Sequence, residues 1–269
     1  MANPYTIKKM KQVHVFIFTI AFTLLCNYAH AQNNDTVSIS APTLYSKNIP
    51  YGKIDYLVYN KQAKDSPAQG LYLVQIHVER ILYKGQPAIA ISQQWDGRDT
   101  VLHRAYTVLS ATDFSTRLHQ TSWKGLGYSS RFDFDDRTVI FEGKIADSNK
   151  TKIISAFDAS FAGYNLNWHT DLFIFTRLPY RENRSFRIQF YDPGFGKPSE
   201  EIYSVTGSDV LRTDAGKKIN CWVMEHTGKA AGSYQKFWID KKTRLVLKEE
   251  DLFNNRYRFK RKLQVAENG

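Results

Sequence analysis

An apolar residue at every second position, in segment after segment from about residue 51 onward, constrains the fold most. In residues 71–79, one face of an extended chain carries Tyr72, Val74, Ile76 and Val78. Comparable segments, joined by short turns containing Gly, Pro or Asp, give roughly a dozen antiparallel strands. A sheet of that length must curl or close, because a long open sheet leaves unpaired edges. The sequence therefore predicts an all-β fold, a curved antiparallel sheet forming a half-open barrel, as one domain over 51–265.

Residues 168–178 interrupt the strand pattern and can form a short helix. The side chain of Thr170 or Asp171 can accept hydrogen bonds from the free amides of a first turn, and Pro179 ends a helix. A buried strand is the alternative, because β-branched and aromatic side chains are frequent in this segment. We expect one short helix here and a short strand over Ile153–Phe157.

The N-terminus is typical of a secretory signal peptide. Three lysines precede an apolar core over Val13–Cys26, and Ala29-His30-Ala31 is a cleavage site of small residues. The core is shorter than the roughly 20 residues that span a membrane. A lipid anchor at Cys26 is disfavoured by the bulky Leu25 before it. We therefore predict a signal peptide over 1–31, a loose leader over 32–50, and export to the periplasm or cell envelope.

The net charge of +11 falls to +8 when the three lysines of the signal peptide are removed. The charges mostly alternate with apolar residues, which is typical of the solvent face of a sheet and not of a nucleic-acid site. The acidic run Glu249–Asp251 and the basic run Arg256–Lys262 are interpreted in the same way. An anionic lipid or polysaccharide contact is the alternative for the basic run. The processed chain is expected to be soluble, with its one cysteine, Cys221, buried among apolar residues.

No catalytic motif is recognisable. Asp214-Ala215-Gly216 resembles the catalytic turn of aspartic proteases, but Ala215 stands where that turn needs Thr or Ser. The sequence has no nucleophile elbow, no P-loop and no dinucleotide-binding glycine motif. We predict no enzyme, no catalytic residues, no metal and no cofactor, with a site assembled from distant strands as the alternative. The histidines of the processed chain lie at none of the short spacings of a local metal pair: His77, His103, His119, His169 and His226.

Aromatic residues make up 14% of the chain and are crowded in its C-terminal half. A packed core is one explanation, because aromatic side chains dominate core area. The other is a concave apolar face that receives an acyl chain, since a curled sheet of this length can enclose a cavity. The candidate ligand-binding residues are Trp168, Phe173, Phe175, Trp222 and Trp238.

Five segments of the C-terminal half carry a resemblance: Phe175–Pro179, Phe186–Gly194, Tyr203–Gly207, Phe237–Asp240 and Leu245–Lys248. Their succession resembles an uncharacterised family of Gram-negative envelope proteins, which is similar to periplasmic lipoprotein carriers and their outer-membrane acceptors. The resemblance implies an unclosed barrel with a helix against its concave side. It also implies a non-enzymatic role in binding or carrying a hydrophobic molecule. Arg177 is, by position alone, a candidate for the arginine that latches the lid of such carriers.

Two functional hypotheses follow. The first is a monomeric periplasmic protein that holds a lipid or another apolar ligand. The second is a structural or accessory protein of an envelope complex, with a filled core and no small ligand. No nucleic-acid partner is expected in either case.

Overall fold

The computed structural model describes residues 35–213 and 216–263. The predicted signal peptide, residues 214–215 of the protease-like turn and the last residues of the predicted domain lie outside the described residues. Apart from Asp35, the described residues belong to one compact unit, which carries the sheet and the helices below. None of the described helices is both long enough and apolar enough to cross a membrane.

The described residues form one large sheet and two short α-helices. Helix α1 spans Asp147–Ala159 and helix α2 spans Asp171–Phe175, directly after a 3-10 turn over Trp168–Thr170. The strands are β1 (Asp35–Ser38), β2 (Gly52–Lys61), β3 (Gln69–Tyr83), β4 (Gln86–Asp96), β5 (Val101–Ser110), β6 (Thr116–Trp123), β7 (Tyr128–Asp133), β8 (Thr138–Gly143), β9 (Leu166–Asn167), β10 (Arg184–Tyr191), β11 (Ser199–Arg212), β12 (Lys218–Thr227), β13 (Tyr234–Asp240), β14 (Val246–Phe253) and β15 (Arg256–Lys262).

The sheet runs in the order β1-β10-β11-β12-β13-β14-β15-β2-β3-β4-β5-β6-β7-β8, and β9 pairs in parallel with β10. Strand β15 pairs antiparallel with β2, which joins the C-terminal strands to the N-terminal ones. The strands at the two ends of this path, β1 and β8, are not neighbours, so the barrel is half-open. The predicted fold class, a curved and mainly antiparallel sheet, is confirmed.

Helix α2 packs on one side of the sheet, here called the core face; the opposite side is the outer face. Phe175 of α2 contacts Phe237 and Tyr203 with ring centroids 5.0 Å apart in each case. The side chains of Phe175 and Leu178 are fully buried. The alternation predicted for β3 places Val74, Ile76 and Val78 in this same cluster. The prediction of a helix here, not a strand, is confirmed.

Helix α1 corrects the prediction of a short strand over Ile153–Phe157, and the predicted single helix becomes two. Ile153, Ala156 and Phe157 are buried at helical spacing and pack in one cluster with Phe132. Apolar residues three and four positions apart share one face of a helix, whereas a strand would split them between two faces. A short apolar run does not reveal which period applies.

The leader over 32–50 is also more ordered than predicted, from residue 35 onward. Strand β1 lies beside β10, and the amide of Ile39 donates a hydrogen bond to the carbonyl of Arg187 at 2.8 Å. Arg177, itself buried, donates to the carbonyls of Lys47 at 2.7 Å and Asn48 at 3.0 Å. The guanidinium of Arg177 therefore connects the leader to the segment that follows helix α2. No sequence motif predicted this contact.

Candidate functional site

A cleft of about 990 Å³ opens beside the core face, where strands β12 to β15 end. The connection between β12 and β13 forms one wall, and the turn between β14 and β15 forms another. Trp168 contributes an aromatic surface and rests on Phe190, with ring centroids 5.1 Å apart. Leu252 and the exposed Phe253 add apolar surface at the rim. Volumes of this size are typical of sites for small organic ligands.

A buried charge cluster lies at the floor of the cleft, on the core face of β14 and β15. Glu249 is paired with Arg258 at 2.9 Å and with Lys260 at 2.5 Å. One oxygen of Asp251 accepts a hydrogen bond from Nε of Arg258 at 2.6 Å. Glu249 is 2% exposed, Asp251 5% and Lys260 6%. Strand pairing creates the cluster, because Asp251 lies directly opposite Arg258 and Glu249 opposite Lys260.

The pKa values of the two carboxyl groups in this cluster differ widely. Burial, together with the charge of Glu249, raises the pKa of Asp251 to about 8. Burial also opposes ionisation of Glu249, but the charges of Lys260 and Arg258 outweigh it and lower that pKa to about 2. Oδ1 of Asp251 is buried without a hydrogen-bond partner among the other described side chains. A proton held by Asp251 and donated to Glu249 satisfies this atom, as in other carboxylate pairs that share one proton.

A second charged group lines the cleft from β11 and β12. Glu201 is buried and lies 3.5 Å from Nε2 of His226 and 3.3 Å from Nζ of Lys229. The ring of His226 lies against Tyr203, with centroids 4.8 Å apart. Arg256 is exposed at the rim. The cleft therefore combines aromatic and aliphatic surface with polar groups, which suits an amphipathic ligand.

The five predicted ligand-binding residues do not share one cavity. Trp168 lines the cleft, whereas Phe173 and Phe175 are packed in the core. The ring of Trp222 lies against the core cluster and is covered by Nζ of Lys241, 3.8 Å from its centroid. Trp238 is on the outer face, where its indole N–H donates to Asp209 at 2.8 Å. The expectation of one hollow lined by all five is corrected, because α2 fills the centre of the core face and alternation along β13 turns Trp238 away.

Three histidines from separate segments meet on the core face. The ring of His169 lies between those of His119 and His103, with centroids 4.6 and 5.3 Å away. Nδ1 of His169 is 3.3 Å from Asp192. Burial lowers the pKa of His103 to about 3 and also lowers that of His119, so both rings are neutral. Within residues 35–213 and 216–263, no group of three or more His, Cys, Asp or Glu is placed to hold a metal ion.

Sequence reasoning missed the buried charge cluster. It assigned Glu249–Asp251 and Arg256–Lys262 to the solvent face, but Glu249, Asp251 and Lys260 are buried. The sequence does carry a signal for the cluster. Acidic residues alternate along one strand and basic residues alternate along the next, and such opposite charges pair when the two strands form a hairpin. Cys221 is fully buried, as predicted.

Comparison with known proteins places the chain in a family. Residues 67–260 match the model of a family described as "Protein of unknown function (DUF3108)". No curated protein matches the chain. Among solved structures, the chain is similar to the beta-barrel-like protein of domain of unknown function DUF1849 from Brucella abortus. The identity is 7% and the TM-score 0.38, over 80% of this chain and 97% of that one. The match over 67–260 covers most of the described sheet, and the chain therefore belongs to the DUF3108 family of proteins of unknown function.

Proposed function

We propose that this protein is exported to the periplasm or cell envelope, where it binds a hydrophobic ligand such as a lipid or an acyl chain without catalysing a reaction. The observation that carries the proposal is the cleft of about 990 Å³ with Trp168 in its wall. The processed protein is proposed to be a soluble monomer, and an envelope protein is a possible partner for delivery.

The lining of the cleft supports an amphipathic ligand with one apolar end. Apolar surface is supplied by Trp168, Leu252 and Phe253, and each buried methylene of an acyl chain contributes about 0.8 kcal/mol. The exposed Arg256 and Lys229 at the rim suit a polar or anionic head group. The signal-like N-terminus supports the location, because it resembles a secretory leader.

Titration with a dansyl-labelled fatty acid tests the binding. Phe253 is 62% exposed at the rim, so Phe253→Ser removes apolar contact area without opening the core. We expect about tenfold weaker binding from this loss of roughly 1–2 kcal/mol. Leu82→Ser is the matched control, because Leu82 is 75% exposed at the end of another hairpin. No saturable binding by the unmodified protein, or equal weakening by both variants, would contradict the proposal.

The location is tested separately. Protein recovered from the periplasmic fraction of a Gram-negative host is expected to begin at Gln32, after cleavage behind Ala31. Full-length protein confined to the cytoplasm would contradict export.

A second candidate is supported by the filled centre of the core face. Phe175 and Leu178 leave no exposed surface there, as expected for an accessory protein whose core is complete. On this alternative the protein acts through a surface contact in an envelope complex, and the fatty-acid titration gives no saturation.

A further inference from the structure

The outer face of strands β2 to β8 carries a polar groove that the proposed lipid cleft does not use. Its volume is about 670 Å³. Neighbouring residues across the strands form two parallel rows along it. The first row is Asp55, Gln75, Gln94, Arg104, Ser122, Ser129 and Glu142; the second is Lys53, His77, Ser92, Tyr106, Gln120, Arg131 and Ile140.

The groove is long and carries little net charge. It crosses seven strands, which lie about 4.8 Å apart, so it spans roughly 29 Å. Its charged side chains are three basic and two acidic, while the protein as a whole is strongly basic. The groove therefore offers no concentrated field to a phosphate backbone or another polyanion. It also lacks the continuous apolar surface that a lipid chain needs.

The chemistry of the two rows is dominated by neutral hydrogen-bonding groups. Three glutamine amides and three serine hydroxyls alternate with the guanidinium groups of Arg104 and Arg131. Amides both donate and accept, and hydroxyls do the same, so the rows match a ligand that presents many hydroxyl groups. Tyr106 lies on β5, the middle strand of the seven, and gives the groove an aromatic ring at its centre.

Two polar atoms in the groove have no partner within the protein. Oδ1 of Asp55 and Nδ1 of His77 are buried and make no hydrogen bond. Both residues line the groove on adjacent strands, where Gln75 lies opposite Asp55 and His77 lies opposite Lys53. Unsatisfied buried polar atoms are uncommon in native proteins and require a compensating partner. A rotation of either side chain toward the groove lets a ligand hydroxyl donate to the carboxylate or exchange a hydrogen bond with the imidazole.

We propose that this groove binds a neutral, linear oligosaccharide across strands β2 to β8. The length of the groove selects a chain over a single sugar, and its near-neutral, amide-rich rows select hydroxyl groups over phosphate or sulfate. The site is independent of the lipid cleft, so either assignment stands if the other fails.

Isothermal titration calorimetry of the processed protein with cellotetraose, maltotetraose and chitotetraose tests the proposal. The double variant Gln75→Ala, Gln120→Ala removes one amide from each row. The matched control, Gln69→Ala with Gln86→Ala, removes two exposed amides from β3 and β4 outside the groove. All four side chains lie outside the core, and unchanged circular dichroism is the check on folding.

We expect at least one tetrasaccharide to bind with a dissociation constant in the millimolar range or below. The groove variant should weaken binding about tenfold, while the control should change it less than about twofold. Binding should persist at about 0.5 M sodium chloride, because a neutral ligand is not screened. Absence of binding by all three sugars at several millimolar, equal weakening by both variants, or loss of binding in salt would each overturn the proposal.

Discussion

Replacing Asp251 by Asn should stabilise the protein at neutral pH, although it removes the carboxyl group that accepts a hydrogen bond from Arg258. The folded-state pKa of Asp251 is raised from its ordinary 3.8 to about 8, first by burial and then by the charge of Glu249. Between these two values the unfolded chain has released the proton and the folded protein still holds it. Stability from this group is therefore fully present below about pH 4 and is lost as the pH rises toward 8.

The size of the change in the free energy of unfolding follows from the width of the pH range. Each pH unit in this window costs about 1.4 kcal/mol, so the wild type should lose about 3 kcal/mol between pH 5 and pH 7.5 from this group. The Asn amide cannot titrate, yet it can donate to Glu249 and accept from Arg258 as the protonated acid does. The variant should thus be more stable than the wild type at pH 7.5, by a margin about 3 kcal/mol larger than the margin at pH 5.

Urea unfolding at both pH values measures the difference directly. Asp65→Asn, at an exposed turn position, is the control and should shift neither curve by more than about 0.5 kcal/mol. A variant that is less stable than the wild type at pH 7.5 would refute the reasoning. So would a stability difference that does not grow with pH, because it would show that Asp251 is ionised in the folded protein.

Two further predictions concern the core. Arg177→Met should lower the free energy of unfolding by about 3 kcal/mol, since the carbonyls of Lys47 and Asn48 lose a buried charged donor. Amide hydrogen exchange over 44–48 should also become faster, and unchanged unfolding and exchange would contradict this role. The thiol of Cys221 should not react with a thiol reagent in the folded protein, because it is fully buried and burial raises its pKa to about 11. Complete labelling within seconds, without denaturant, would contradict its placement.

The fold class could be predicted because strand alternation is a local signal. Val74, Ile76 and Val78 are buried on one face as their spacing requires. Helix α2 was predicted from a capping side chain, Thr170 or Asp171, and from the terminating Pro179, which are also local signals. Helix α1 was missed because Ile153–Phe157 is too short an apolar run to distinguish a period of two from one of 3.6.

The candidate sites depend on the register in which neighbouring strands pair, and this register cannot be read from the sequence. Asp251 meets Arg258 only because the β14–β15 hairpin pairs these positions. Likewise, alternation along β13 places Phe237 and Trp238 on opposite sides of the sheet, and the packing of α2 decides which of these sides is the core face. A one-residue change in register would exchange the two faces of a strand. Residue types alone could therefore identify aromatic candidates for a binding site, but they could not show which of these residues lie together in the folded protein.

Native mass spectrometry of the protein exported to the periplasm tests the central claim of a lipid-binding cleft most directly. The account predicts a population with added mass in the range of a lipid or fatty acid, and a much smaller population for Phe253→Ser than for Leu82→Ser. A single ligand-free mass for the unmodified protein, under conditions that preserve known lipid complexes, would contradict it.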